Sequence, residues 1–349
     1  MKSRRTGRSI GLVLTLSAVG FAGMPACIPE LYLPAILDPH SNSWVLRWNK
    51  IAVDTSGLDH TPVEAGEDRT FGHQLGPGRA SRAMAIVHIA IFDSVNAIVQ
   101  DFESYTGIDP APAGTSMKAA IAQAAHDTLI ALYPSHAARL DGELEYDLSK
   151  IEEGQSKDDG ITLGMTAAQA ILDMRTNDGS ELPESYVFDQ NPGFWRVDPI
   201  NPDQGTLGSQ WSQCKPFVIN RADQFRVPPP PALDSKEYAD AYLEAQQYGG
   251  DGKTTSTIRT DEQTTIGTFW AYDGTPSLCA PPRMYNQIAR QISTDRRLNV
   301  VELARLFALL NVALADTGVA VWESKYFYNF WRPVAGIRES DPGEGPSGL

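Results

Sequence analysis

From Asn299 to Phe330 the chain keeps one apolar stripe at helical spacing: Leu303, Phe307, Leu310, Leu314, Thr317, Val321 and Ser324, uninterrupted by proline. It is the longest helical pattern in the sequence and it ends in Trp322-Glu-Ser-Lys325-Tyr-Phe-Tyr-Asn-Phe-Trp-Arg332-Pro333. Lys325 and Arg332 are seven residues apart. At roughly 100° per residue they return to within about 20° of one direction. The spacing therefore predicts two permanent cations on one helix face, in an aromatic setting, with Pro333 disrupting the helix just beyond them. A planar guanidinium fork beside an ammonium suits a tetrahedral oxyanion. The plainer alternative is a pair of surface cations with snorkelling stems, countered by Glu323 or Glu339.

The rest of the chain reads as helix too. Arg79–Ile98 is apolar or small nearly all round, which marks a central helix, and His88, Asp93 and Asn96 inside it read as satisfied interface groups. Further helices are expected from Ser116 to Tyr133, Ser135 to Glu152, Gly160 to Arg175, Asp234 to Tyr248, Pro281 to Ser293, and after the capping-box-like Thr260-Asp-Glu-Gln263. His126-Asp127 is tempting as a dyad. Helix neighbours point about 100° apart, however, so it reads as a core histidine beside a surface carboxylate. Residues 28–78, rich in Pro, Asp, His and Gly, read as an irregular arm with one helix around Ser43–Val53. Residues 180–233, ending in Val227-Pro-Pro-Pro-Pro-Ala232, read as a Pro-rich irregular connection packed on the same chain between two helical halves. No strand-like alternation stands out. The expected fold is all-α, with helices antiparallel in bundles over residues 79–349.

Residues 1–27 carry Lys2, Arg4, Arg5 and Arg8, then an uncharged run, in the pattern of a signal peptide with cleavage near Ala26, or of a lipoprotein leader anchored at Cys27. An uncleaved anchor helix is the alternative. Arg4-Arg5 hints at a twin-arginine signal but lacks the residues expected to follow. Either leader predicts export to a periplasmic, secreted or lipid-anchored location. No later window approaches 18 apolar residues, so no integral span is expected in the mature chain. The net charge of −14 disfavours nucleic acid and anionic membrane surfaces as partners. Cys214 and Cys279 stand open between a disulfide and two buried thiols.

The run Asp316-Thr-Gly318…Trp322…Lys325…Phe330-Trp331-Arg332-Pro333…Gly336-Ile-Arg338 resembles the first active-site motif of the vanadium-dependent haloperoxidases, of the type-2 phosphatidic acid phosphatase superfamily. The resemblance implies a helical-bundle protein holding vanadate, with Lys325 and Arg332 on its equatorial oxygens and Trp322 shaping the halide side. It implies halide, hydrogen peroxide and a small organic acceptor as partners. Cations at such a site neutralise the anion and draw electron density from it, so that peroxide becomes electrophilic toward halide. Phosphoryl transfer passes through the same geometry, so an acid phosphatase acting on phosphate is the second reading. A non-catalytic helical protein is the third.

The resemblance also calls for P-S-G-H and S-R-x3-G-x-H motifs. Pro346-Ser347-Gly348 imitates the first, but Leu349 stands where His belongs, and the segment reads as a loop. All six histidines (His40, His60, His73, His88, His126 and His136) fall in the first 136 residues. The expectation is a chain truncated inside its catalytic half and inactive by itself. His88 and His126 are the only candidates to fold over the site.

Overall fold

The computed structural model describes residues 41–189, 191–197, 203, 205–271 and 281–338. The leader with Cys27, His40, Cys279 and everything from Glu339 onward lie outside them. Among the described residues there are ten α-helices and no strand; one isolated antiparallel bridge joins Phe194 to Phe330.

α1 (Ser41–Asp59) contains the helix expected around Ser43–Val53 and extends it at both ends. Val45, Trp48, Ala52 and Thr55 fall at helical spacing and are fully buried. The polar run Asp54-Thr-Ser-Gly disguised its C-terminal half. Thr55 satisfies its own hydroxyl by donating to the Ile51 carbonyl at 2.7 Å. α2 (Pro77–Val99) is the central helix, and every residue from Ala80 to Ala97 is buried. Gly76 (φ +90°) turns the chain into it, and Pro77 occupies the first turn, where a missing N–H costs nothing. Two of its buried polar side chains are paired with the loop that follows the helix. Asp93 accepts from Tyr105 N, Thr106 N and Thr106 Oγ1 at 2.6–2.8 Å, and Asn96 exchanges two 2.9 Å bonds with Phe102.

α3 (Met117–Leu132) starts at its Ser116 cap, as the sequence predicts. α5 (Gln155–Met174) lies on it nearly backbone to backbone. A Cβ on Gly164 would sit 2.6 Å from Gln123 Cβ, and one on Gly160 would sit 2.4 Å from the Ser116 carbonyl. α4 (Ala137–Leu148) docks on α3 through His126. Here the expectation from helical angles fails, because the Asp127 side chain folds back on the ring. His126 Nδ1 lies 2.7 Å from Asp127 Oδ1 and Nε2 lies 2.9 Å from Asp141 Oδ1. Two carboxylates on the two ring nitrogens favour the protonated ring, which carries both N–H donors. Burial opposes that charge, but the bonds to Asp127 and Asp141 outweigh it and raise the pKa. A folded value above the unfolded one gives a contribution that is complete below about pH 6.5 and fades as pH rises through the folded value. Because Asp141 is largely exposed, the effect is expected at no more than about 1 kcal/mol. NMR titration of His126 is the check; an imidazole that deprotonates below the ordinary histidine range would refute the assignment.

α8 (Pro282–Arg296) and α9 (Val300–Tyr328) complete the main bundle, α9 starting on an Asn299–Glu302 capping box. Four buried side chains join α1, α2, α8 and α9. Asn286 and Asn311 exchange amide bonds at 2.8 and 3.0 Å, and Asn49 donates to Asn286 at 2.8 Å. Asn49 Nδ2 also lies 3.0 Å from His88 Nε2. His88 stacks on Phe307, and burial pushes its pKa down to about 3, so it is a neutral core histidine. α2 and α9 are long and apolar enough, by length and composition, to cross a membrane, which corrects the window estimate. In α2, 89% of that stretch is buried inside the protein.

α6 (Lys236–Gly249) is capped by Ser235, and α7 (Asp261–Trp270) by the foreseen Thr260–Gln263 box. The short α10 (Pro333–Arg338) packs on α6 through Trp331, Ala335 and Tyr238. A buried ionic knot fastens the start of the Pro-rich connection. Arg82 (α2) and Arg175, just past α5, both donate to Asp178 Oδ2 at 2.8 Å. Arg175 also donates to the Lys215 carbonyl and lies 3.9 Å over the Phe217 ring. Cys214 beside it is a buried free thiol, its pKa raised to about 11 by burial.

Candidate functional site

Lys325 and Arg332 reach one cleft, but not along one helix face. α9 ends at Tyr328, and Asn329 takes the left-handed conformation (φ +50°) with its N–H on the Lys325 carbonyl. Residues 193–195 then clamp the chain. Trp195 N donates to the Asn329 carbonyl at 2.7 Å, and Trp331 N donates to the Gly193 carbonyl at 2.9 Å. Arg332 sits in this non-helical link, and Pro333 opens α10 rather than ending α9. The turn, not the helical period, sets where Arg332 joins Lys325 in the lining of the cleft. Trp331 faces away, its indole donating to Tyr238 Oη at 3.1 Å. Arg338 is exposed at the end of α10 and does not line the cleft.

The cleft has a volume of about 1280 Å³. Val312, Asp316, Val321 and Trp322 of α9 form one side; Leu207, Val218, Ile219, Phe225 and Pro228 of the connection form the other. Lys325 and Arg332 are among its polar lining residues, and both are solvent-exposed. The connection therefore wraps α9, as the sequence predicts, through polar fastenings that the sequence does not reveal. Asp316 is buried and accepts from three successive amides, Phe217 N (2.6 Å), Val218 N (2.8 Å) and Ile219 N (2.9 Å). Glu323 takes a forked pair from Arg226, with Nε at 2.9 and 3.1 Å from its two oxygens, and Arg226 lies over Phe327. Tyr328 Oη donates to the Val227 carbonyl at 2.7 Å. Trp322 Nε1 and Tyr326 Oη donate to the same Leu207 carbonyl at 2.8 and 2.9 Å. The Lys325 ammonium lies 4.1 Å over the Trp322 ring.

Two consequences bear on the chemistry. The acidic groups of this half of α9 are engaged elsewhere: Asp316 by amides and Glu323 by Arg226. Of the two carboxylates that could counter Lys325, Glu323 is taken by Arg226 and Glu339 lies outside the described residues. An ammonium and a guanidinium lining one largely apolar cleft fit an anion with several oxygens. None of the five described histidines lines that cleft. His60 Nε2 accepts from Gly76 N, His73 Nε2 pairs with Ser135 Oγ, and His136 sits edge-on to Tyr133. Tyr326, Asp316 and Arg226 were not read as site residues. Asp316 stood in the D-x-G-x-x-x-W run, but its partners lie a hundred residues away.

A family model described as the VCPO second helical-bundle domain matches residues 305–344. The vanadium chloroperoxidase of Curvularia inaequalis is 28% identical over 372 aligned residues, covering 89% of this chain and 60% of that protein. This chain is related to the vanadium haloperoxidases. Its fold is theirs as well. A bacterial vanadium-dependent iodoperoxidase superposes with a TM-score of 0.68 at 21% identity, over 84% of this chain and 72% of that one. A holo-type bacterial vanadium-dependent chloroperoxidase gives 0.57 at 16% identity, over 80% and 68%. The chain spans 60% of the length of its curated haloperoxidase relative. The match begins inside α9, the helix that carries Trp322 and Lys325.

Proposed function

We propose that the chain supplies the Lys–Arg side of a vanadate-dependent haloperoxidase site, in a protein that oxidises halide with hydrogen peroxide to hypohalous acid. The observation that carries this reading is the convergence of Lys325 and Arg332 on one cleft that Trp322 borders. Bound vanadate supplies the centre on which peroxide becomes electrophilic. Arg332 presents a fork of N–H donors to the anion's oxygens and Lys325 a point charge, and together they neutralise its charge. Trp322 and the apolar walls of the cleft offer a surface for a weakly hydrated halide or a small organic acceptor. The same cations would serve an acid phosphatase, and Trp322 favours the halide reading. The basic start and uncharged run of residues 1–27 support an exported protein as part of the same proposal.

The test is bromination of a phenol-red-type dye by the protein in its full coding length, with and without vanadate. Vanadate-dependent bromination is expected. Lys325→Ala should weaken vanadate affinity by about 1.5–3 kcal/mol, the worth of one charge-assisted contact. Phosphate-ester hydrolysis without vanadate, and no bromination, would replace this reading with the phosphatase. The 349-residue polypeptide alone is expected not to brominate, because none of its described histidines reaches the cleft to act as acid and base. Activity of that polypeptide lost on His88→Ala or His126→Ala would overturn the expectation.

A further inference from the structure

We infer that Trp322 is a positioning residue whose ring face seats the ammonium of Lys325, and that the turn at Leu207-Gly208 holds the ring in place for that purpose. The inference rests on the reading of Lys325 as an anion-binding group and adds how that group is aimed. Three observations carry it. The indole N–H is already committed, since it donates to the Leu207 carbonyl at 2.8 Å. It is therefore not offered to a ligand in the cleft. The Tyr326 hydroxyl donates to the same carbonyl at 2.9 Å, so both lone pairs of that oxygen are used and two side chains one helical turn apart are fixed to one point. The remaining surface of Trp322 is its π-face, and Lys325 Nζ rests on it at 4.1 Å. A lysine has four rotatable bonds and a strongly hydrated head. Resting it on an aromatic face reduces the orientations it must give up when an oxyanion arrives.

Gly208 completes the seat. It has φ +75°, and a Cβ there would lie 2.5 Å from Trp322 Nε1. Any side chain at position 208 would therefore strain the turn and push the indole off the Leu207 carbonyl. The connection contributes backbone alone at this point, a carbonyl oxygen and a bare Cα. What it shapes is the tilt of the indole and with it the place of the ammonium.

The experiment is NMR of the protein with its lysines reductively methylated with 13C-formaldehyde. Lys325→Arg identifies the Lys325 dimethylamine peak. In the parent protein that peak is expected upfield of the other lysines, shifted by the ring current of Trp322. Trp322→Leu should return it to the common position, and Trp322→Phe should keep part of the shift. Gly208→Ala, which leaves the indole in the chain but displaces it, should also return it, and serves if Trp322→Leu fails to fold. A Lys325 peak at the common position in the parent protein, or one unmoved by these variants, overturns the inference.

A second arm titrates inorganic vanadate, and separately inorganic phosphate, while following the unmethylated protein by calorimetry. Trp322→Leu should weaken anion binding roughly two- to fivefold, the scale of an exposed cation–π contact, with Trp322→Phe restoring part of it. Equal affinity in the parent and Trp322→Leu overturns the positioning role. If neither anion binds while the ring-current shift is present, the anion reading of the site fails and the seat itself stands.

Discussion

Asp178→Ala is expected to destabilise the protein by about 3–5 kcal/mol, enough to unfold many domains of ordinary stability. Asp178 is buried, and two buried guanidiniums, Arg82 and Arg175, donate to the same oxygen. Removing the carboxylate leaves two like charges together in a poorly hydrated place, with no counter-ion. Its loss also frees Ser180 N, which donates to Asp178 Oδ1 at 3.1 Å. Urea denaturation of the variant measures the effect, and a loss below about 1 kcal/mol would mean that water reaches the knot. Acid should act in the same direction. Burial opposes ionisation of Asp178, but Arg82 and Arg175 outweigh it and hold the pKa below the ordinary carboxylate range. The stabilisation is thus complete above that range and is lost as pH falls through the folded value.

Asp316→Ala is expected to cost on the order of 3 kcal/mol and to loosen one wall of the cleft. Three consecutive amides, Phe217 to Ile219, lose their charged acceptor, each such bond being worth about 1.5–3 kcal/mol when intact, with part regained by water. Phe217 is also held from behind by Arg175 over its ring and by Tyr105 Oη on its carbonyl at 2.7 Å. The segment should therefore loosen rather than detach. Hydrogen exchange at those three amides reads this directly. Protection equal to the parent's would refute the assignment.

The parts of the fold that were legible in the sequence are the ones written locally. Ser116, Ser235 and Thr260–Gln263 announce helix starts because their side chains bond amides three residues on, and the structure has those caps. The apolar positions of α2 repeat at 3.6-residue spacing, and a helix buried all round must be central. α1 was half hidden because four of its last five residues are Thr, Ser, Gly and Asp, which favour loops until packing overrides them. The cleft was legible as a pair of cations and a tryptophan. Its geometry was misread because periodicity assumes that the helix continues. Nothing in Tyr328-Asn329-Phe330 announces a left-handed residue, although asparagine adopts that conformation more readily than most. The opposite wall was illegible for another reason. Residues 205–228 have no period, and they are held by bonds to a helix some hundred positions later in the chain.

α9 has one property that makes the site unusually sensitive to the length of the chain. The same uninterrupted helix carries Asn311, locked into the buried tetrad of three asparagines and His88, and Trp322 and Lys325, which line the cleft. The two stations are therefore in phase, like marks cut on one shaft. A single residue inserted between Asn311 and Trp322 would turn the second station by roughly 100° and advance it about 1.5 Å relative to the first. The tetrad would still lock, and the bundle would still form. Trp322 would then point away from Leu207, and the cations would open onto a different side of the molecule. Substitutions can be absorbed along this stretch one at a time, whereas a change in its residue count re-indexes the whole site.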